Sequence, residues 1–335
     1  MNKCVNYFRK DRQNSICGRN RKRCYGEEIY NWGIDWKDLM RGIRAAASGM
    51  DVNVIYFLGT QSVRFNQKFA LEDFDYQYNT VYDYAKLAKV DVLIIAYGSL
   101  CIFQKNEDKQ AFLDKFAGIP YVLLEDATDD PRGIYVMVDN FGGMQKCVEH
   151  LIIEHHLKHL VYLGGPEDNQ DAIERKAAFL NVMAEHHLPV TPEMMAVGDY
   201  SEFVDNLVEQ LLKDNPDAEA IISANDEMTV ACYRVCKAHG LRIGKDILIT
   251  GFDDVERARY SNPPLTTVSQ DAYKMGQIAV EKAVDICAGR PVESVRLDAE
   301  LIIRESCGCK VTRRAKEKAD EKTRSEEHTS ELQSR

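Results

Sequence analysis

His150, Glu154, His155, His156 and His159 make a dense run of side chains able to bind metal or carry protons. His155 and His159 stand four apart, the spacing that puts two imidazoles on one helix face and can hold zinc. No third ligand follows at motif spacing, so the run is expected to be a solvated helix end. Cys307 and Cys309 form a C-x-C, which alone specifies neither a metal nor a redox centre, and ordinary thiols are expected there. Asp253 and Asp254 are adjacent carboxylates, the raw material of acid–base chemistry. Neighbours at a strand end point in different directions, however, so a catalytic pair is not expected. A G-x-S-x-G nucleophile elbow is absent. So are G-x-G-x-x-G behind a strand and the P-loop. Gly164-Gly165-Pro166 follows a strand without the further glycines or the lysine, and reads as a turn. The expectation is therefore a chain that is not an enzyme, with no metal and no cofactor.

Composition limits the scaffold. With 45% hydrophobic and 29% charged residues, the chain has ordinary globular usage. A formal net charge of -10 makes it a poor holder of nucleic acid on its own and argues against a membrane-surface role. No apolar run reaches the roughly 18 residues of a spanning helix. Basic Arg9, Lys10 and Arg12 are not followed by the apolar segment of a secretory signal. Ten cysteines without framework spacing read as reduced thiols, which points to the cytoplasm.

From about Tyr30, short apolar runs alternate with helical patterns. The spacing predicts helices over 36–48, 76–89, 109–116, 144–155, 171–187, 203–213, 227–239 and 273–287. Strands are predicted over 52–58, 90–97, 121–124, 160–163, 218–223 and 247–250. VDVLIIAY (90–97) is apolar almost throughout, as strands covered on both faces are. Two successive sets of βα units imply an α/β fold with parallel sheets, arranged as two Rossmann-like lobes.

Three stretches are similar to the LacI/GalR sensor domain: VMVDNFGGMQKCVEHL (136–151), AEAIISAND (218–226) and ILITGFDDVERARYSNPPLTTVSQ (247–270). The last is the most specific, because GFDD is followed by PPLTTVSQ at the family's spacing. The resemblance spans about 30–309 and implies a type I periplasmic-binding-protein-like fold whose chain crosses between lobes three times. One lobe would hold 29–138 and 264–290, the other 139–263 and 291–309. A small polar effector, a carbohydrate by preference, would bind between the lobes and close them by hinge motion. The family implies a homodimer, with DNA contacted through a module that this sequence does not contain. The ending IRESCGC (303–309) resembles members whose sensor precedes a GGDEF cyclase, a histidine kinase or an AraC-type output. A transport solute-binding protein is the rival from another class, and the missing signal segment argues against it.

The resemblance also nominates residues. Arg175, in IERKAAF, matches the family's ligand-clamping arginine, whose planar fork suits paired hydroxyls or a carboxylate; otherwise it is a surface ion pair with Glu174 or Asp171. Ala178 stands where the family has glycine. Asn225 matches a cleft asparagine that offers donor and acceptor together; its other reading is a helix N-cap, a role for which Asp226 is the stronger candidate. Asp253 matches a cleft carboxylate that would reject analogues lacking the hydroxyls it accepts, with Asp254 eligible for the alternative turn or cap role. Glu125 and Gln270 are further candidates. Trp32 and Tyr97, together with Tyr30, could offer aromatic faces to a sugar ring, although core packing is the commoner use of such residues.

Both ends look unlike the middle. Residues 1–28 are basic and without periodicity, and are expected to be disordered or mistranslated. The family's buried first strand falls at RKRCYGEEIY (21–30), too charged for that place, so a central strand is expected to be missing. Lys310–Lys322 looks like the start of a linker helix, within a 310–323 linker segment. The segment 324–335 begins RSEEHTSELQS, which back-translates in frame to a sequencing-library adapter.

Overall fold

A computed structural model describes residues 3–9, 36–50, 52–59, 80–101 and 106–310. In chain order its strands are β1 (Lys3–Arg9), β2 (Asn53–Gly59), β3 (Val92–Ile95), β4 (Tyr121–Leu124), β5 (Gly133–Val138) and β6 (Leu160–Gly164), then β7 (Met195–Val197), β8 (Ala220–Ser223), β9 (Leu248–Asp253), β10 (Thr266–Ser269), β11 (Val295–Leu297) and β12 (Glu300–Ile302). The helices are α1 (Trp36–Met50), α2 (Tyr84–Leu87), α3 (Tyr97–Leu100), α4 (Asn106–Asp114) and α5 (Asn140–Glu149), then α6 (Gln170–Glu185), α7 (Asp205–Asp214), α8 (Asp226–Ala238), α9 (Glu256–Tyr260) and α10 (Ala272–Cys287). No described helix is long and apolar enough to cross a membrane.

Two compact units form. The first comprises the described residues within 1–139, 168–171 and 271–297, and the second those within 140–167, 172–270 and 298–310. The first unit's sheet runs β11-β5-β4-β3-β1-β2 and the second's β12-β10-β9-β8-β6-β7. Pairing is parallel except at β1 and at β12, which runs antiparallel to β10. Strands β3, β4, β6, β8 and β9 are buried at every residue, the consequence of helices covering both faces.

The expected gap at the centre of the first sheet is filled. Residues 3–9 of the basic leader lie between β3 and β2 and pair antiparallel with both, Val5 opposite Ile95 and Phe57. Within 1–28, expected to be disordered or mistranslated, residues 3–9 form this strand, and the other residues lie outside the described ones. The facing edges of β2 and β3 carry backbone groups that need partners, and this segment supplies them. The crossing points also differ from those expected. β10 pairs with β9 and therefore lies in the second sheet, while β11 pairs with β5 in the first. The predicted strand 90–97 ends at Ile95, and Tyr97 opens α3.

Within the first unit, α1 and α10 meet backbone to backbone. A Cβ on Gly42 would lie 1.9 Å from the Tyr273 carbonyl oxygen, and one on Gly276 2.4 Å from that of Leu39. Leu39 and Ile43 of α1 lie against Gly276, and Met275, Ala279 and Val280 of α10 are buried as well.

Candidate functional site

In the second unit, buried polar side chains gather at the carboxyl ends of the strands, where open α/β sheets place their ligands. Helix α6 buries Ala172, Arg175, Ala178, Phe179, Val182 and Met183. That three-and-four spacing puts a guanidinium on an otherwise apolar face. Arg175 is 2% exposed. Its Nε donates to Asn140 Oδ1 (2.8 Å), and one terminal nitrogen donates to the Ala224 carbonyl (2.6 Å) and to Asp253 Oδ1 (3.3 Å). The guanidinium carbon lies 3.7 Å from the centre of the Phe252 ring, a cation–π contact away from water. At that exposure Arg175 is a buried residue, not a surface one.

Asp253 ends β9 and is 5% exposed. Gln270, just past β10, donates from Nε2 to Asp253 Oδ1 at 2.5 Å. Asp253 has φ of 114° and Asp254 of 52°, both in the region that favours glycine. Non-glycine residues held there store strain, and such strain collects at ligand clamps and active sites. The two carboxylates part company as expected. Asp254 turns to Arg304 (2.6 Å) and Arg259 (3.4 Å) and fastens the strand end to the segment after β12.

Asn225 is the N-cap of α8. Its Oδ1 accepts from Met228 N (3.0 Å) and its Nδ2 donates to the Tyr200 carbonyl (3.1 Å). The cap therefore belongs to Asn225, not to Asp226 as expected. Asp226 is buried beneath the site. It accepts from Val255 N (3.0 Å) and from the Thr267 hydroxyl (2.6 Å). Burial pushes its pKa well above the usual carboxylate range; the nearby charge of Asp253 adds to this and the Thr267 bond opposes it.

Two of the remaining candidates belong to the first unit. Glu125, in the first unit with φ of 64°, accepts from Ser99 N through Oε2 (3.0 Å). Tyr97 is 4% exposed and packs into the first unit's core with Phe112, Leu100 and Tyr121, so the ring offered to a sugar is instead core. Trp32 and Tyr30 lie outside the described residues, as do the linker segment beyond Lys310 and the adapter-like tail. His155 and His159 do not pair: the His159 ring meets Asn215 Oδ1 (3.3 Å) and Asp217 Oδ2 (2.9 Å).

Sequence reasoning passed over Asn140, Phe252 and the role of Asp226. Asn140 and Phe252 stood inside the stretches that carried the resemblance, DNFGG and GFDD. An asparagine directly after a strand, and an aromatic directly before a cleft carboxylate, were the available signals. The assembled group is a fixed fork of donors, a carboxylate and two carboxamides in a water-poor setting. Such a group has the chemistry to hydrogen-bond the hydroxyls or carboxylate of a small polar molecule.

Comparison with known proteins follows the same line. The family described as periplasmic binding protein-like domain matches residues 148–307. The HTH-type transcriptional regulator CelR of Thermobifida fusca is 30% identical over 216 residues, 62% of this chain and 62% of CelR. The HTH-type transcriptional repressor PurR of Aliivibrio fischeri (strain MJ11) is 29% identical over 198 residues, 58% of this chain and 56% of PurR. The chain thus spans about three fifths of the length of these curated relatives. The solved CelR–cellobiose complex superposes with a TM-score of 0.63 at 24% identity, covering 81% of this chain and 78% of that one. The fold is periplasmic-binding-protein-like, mixed α/β with parallel sheets.

Proposed function

We infer, from the LacI/GalR-type sensor domain that this chain carries, that it binds a small polar effector, of the carbohydrate class, and belongs to a cytoplasmic transcription regulator. The observation that carries this reading is the clamp of Arg175, Asp253 and Gln270 at the carboxyl ends of the second unit's strands. CelR, among the relatives, was solved with cellobiose, and Asp253 and Arg175 are suited to hydroxyl pairs. DNA contact is assigned to a module other than the two described units. A sensor feeding a cyclase or kinase output would use the same clamp. A solute-binding protein for transport is the weaker reading, because the relatives reported above are regulators.

The test is a thermal-shift screen of the full chain against mono- and disaccharides, uronic acids and purines, with Asp253→Asn and Gln270→Ala alongside. A ligand at 100 times its Kd stabilises by about 2.7 kcal/mol. A sugar response that disappears in both variants, while both still melt cooperatively, is the expected result. A response confined to purines overturns the carbohydrate assignment, and a sugar response untouched by the variants overturns the clamp.

The reading includes a homodimer. Ile173 and Leu180 on α6 and Val197 on β7 are exposed apolar residues around a groove of about 320 Å³ at the edge strand of the second sheet. Exposed apolar patches beside an open strand edge mark surfaces that another chain covers. Light scattering should give a mass twice that of the chain at micromolar concentration. A monomer there removes the dimer from the proposal.

A further inference from the structure

The dense histidine run and the C-x-C, each weak alone, meet in space. His150, His155, Cys307 and Cys309 each bring one ligand atom to a group whose atoms all lie within 4.8 Å of one another. His150 Nε2 is 3.5 Å from Cys307 Sγ and 3.7 Å from Cys309 Sγ, and His155 Nε2 is 3.4 Å from Cys309 Sγ. A tetrahedral zinc ion with Zn–S of about 2.3 Å and Zn–N of about 2.0 Å holds its nitrogen and sulfur ligands about 3.5 Å apart. We propose that these four residues form a closed, structural zinc(II) site in the second unit.

The local backbone explains how the ligands converge. In an α-helix, residues five apart stand about 140° around the axis from one another, so His150 and His155 would diverge. Here α5 passes at its end into a π-helical turn, His150–Glu154. Closing i to i+5 brings both rings to one side, their centroids 5.0 Å apart. Opposite them, Gly308 sits in the left-handed region (φ 84°) and turns the chain so that both flanking thiols face the histidines. Ser306 anchors that turn: its hydroxyl donates to the Ile249 carbonyl (2.6 Å) and accepts from Thr266 N (2.7 Å).

Plain thiol–imidazole hydrogen bonds describe the group less well. One Nε2 has a single lone pair or a single proton along one direction, yet His150 Nε2 stands near both sulfurs and Cys309 Sγ near both rings. Atoms aimed at a shared centre do this. Two thiolates and two neutral imidazoles around zinc(II) sum to zero charge, which suits a place where His150 and Cys307 are buried. On binding, Cys307 and Cys309 each release a proton to solvent, both Nε2 lone pairs go to the ion, and nothing is oxidised or reduced. Four protein ligands leave no open position, so the site holds structure and performs no catalysis. It fastens the end of α5 to the segment after β12.

The test uses the full chain, free of any histidine tag and kept reduced. Elemental analysis should find about one zinc per chain, and chelation should lower the melting temperature, with zinc restoring it. Cobalt(II) added to the stripped protein should give the strong visible bands of a tetrahedral ion and a thiolate charge-transfer band. Half-exposed His155 and Cys309 allow mild variants: His155→Asn and Cys309→Ser should each lose stoichiometric metal, whereas His159→Asn should keep it. If a variant does not fold, the wild-type cobalt spectrum still decides. Absence of tetrahedral cobalt bands in reduced protein with both thiols titratable overturns the proposal. So does metal binding that survives His155→Asn and Cys309→Ser or disappears with His159→Asn.

Discussion

Arg175→Ala is expected to destabilise the second unit by about 3–5 kcal/mol and to abolish effector binding in whatever remains folded. The guanidinium is 2% exposed and serves three acceptors, on Asn140, Ala224 and Asp253. Truncation takes from the buried Asp253 carboxylate the guanidinium that donates to its Oδ1 at 3.3 Å. Breaking one side of a buried pair costs far more than the pair contributes, because the surviving charge keeps its full desolvation penalty. Total stabilities run at about 5–15 kcal/mol, so the loss removes a large share of what holds the fold. Lysine is no substitute: it keeps the charge but has neither the fork nor the flat face that stacks on Phe252. The double variant Arg175→Ala/Asp253→Ala should cost less than the sum of its singles, since it removes both members of the buried contact together. Urea titration followed by circular dichroism measures all three. A cost under about 1 kcal/mol for Arg175→Ala would mean the pair is solvated in solution, contrary to the burial argument.

What the sequence made legible follows from the physics of each signal. Strands such as 121–124 and 160–163 could be read because burial on both faces leaves an apolar run. The helices could be read because one buried face repeats at three and four residues. The short edge strands β7, β11 and β12 could not: each has three residues, too few to show a period. β1 was hidden for a different reason. KCVNYFR sits in a basic leader, and only the open edges of β2 and β3 make it a strand. At the site, Arg175, Asp253 and Gln270 were nominated through the resemblance, and the structure brings those three together. Asn140 was not singled out, because an asparagine's role depends on which partner reaches it. The histidine run was visible, but the partner of His155 was sought by α-helical spacing, four residues on. The π-helical turn moves the match to His150, and no period in the sequence announces such a turn.

Asp226 makes the second large effect, with a sign that depends on what replaces it. Asp226→Ala takes away the acceptor of Val255 N–H and of the Thr267 hydroxyl proton, both buried, at about 1–3 kcal/mol each. It also frees the turn that holds Asp253 and Asp254 at positive φ, so effector affinity should fall with stability. Asp226→Asn should act in the opposite direction. The folded-state pKa of Asp226 is raised, by burial first and by the charge of Asp253 second. The folded protein therefore holds a proton that the unfolded chain, with a carboxyl near the ordinary value of about 3.9, has released. The contribution of this group to stability is full below about pH 3.9 and is lost as pH rises through the raised folded value. Asparagine fits the same space without titrating. Its Oδ1 can accept from Val255 N and its Nδ2 can donate to the Thr267 hydroxyl. Asp226→Asn should therefore be more stable than the wild type at neutral pH, with an advantage that shrinks as the pH is lowered toward 4. Melting temperatures of the wild type and both variants between pH 5 and 8 decide it. A wild type and Asp226→Asn with parallel pH profiles would show that Asp226 is not the group that titrates. An Asp226→Asn protein less stable at every pH would show that the carboxylate, ionised, is the form the turn requires.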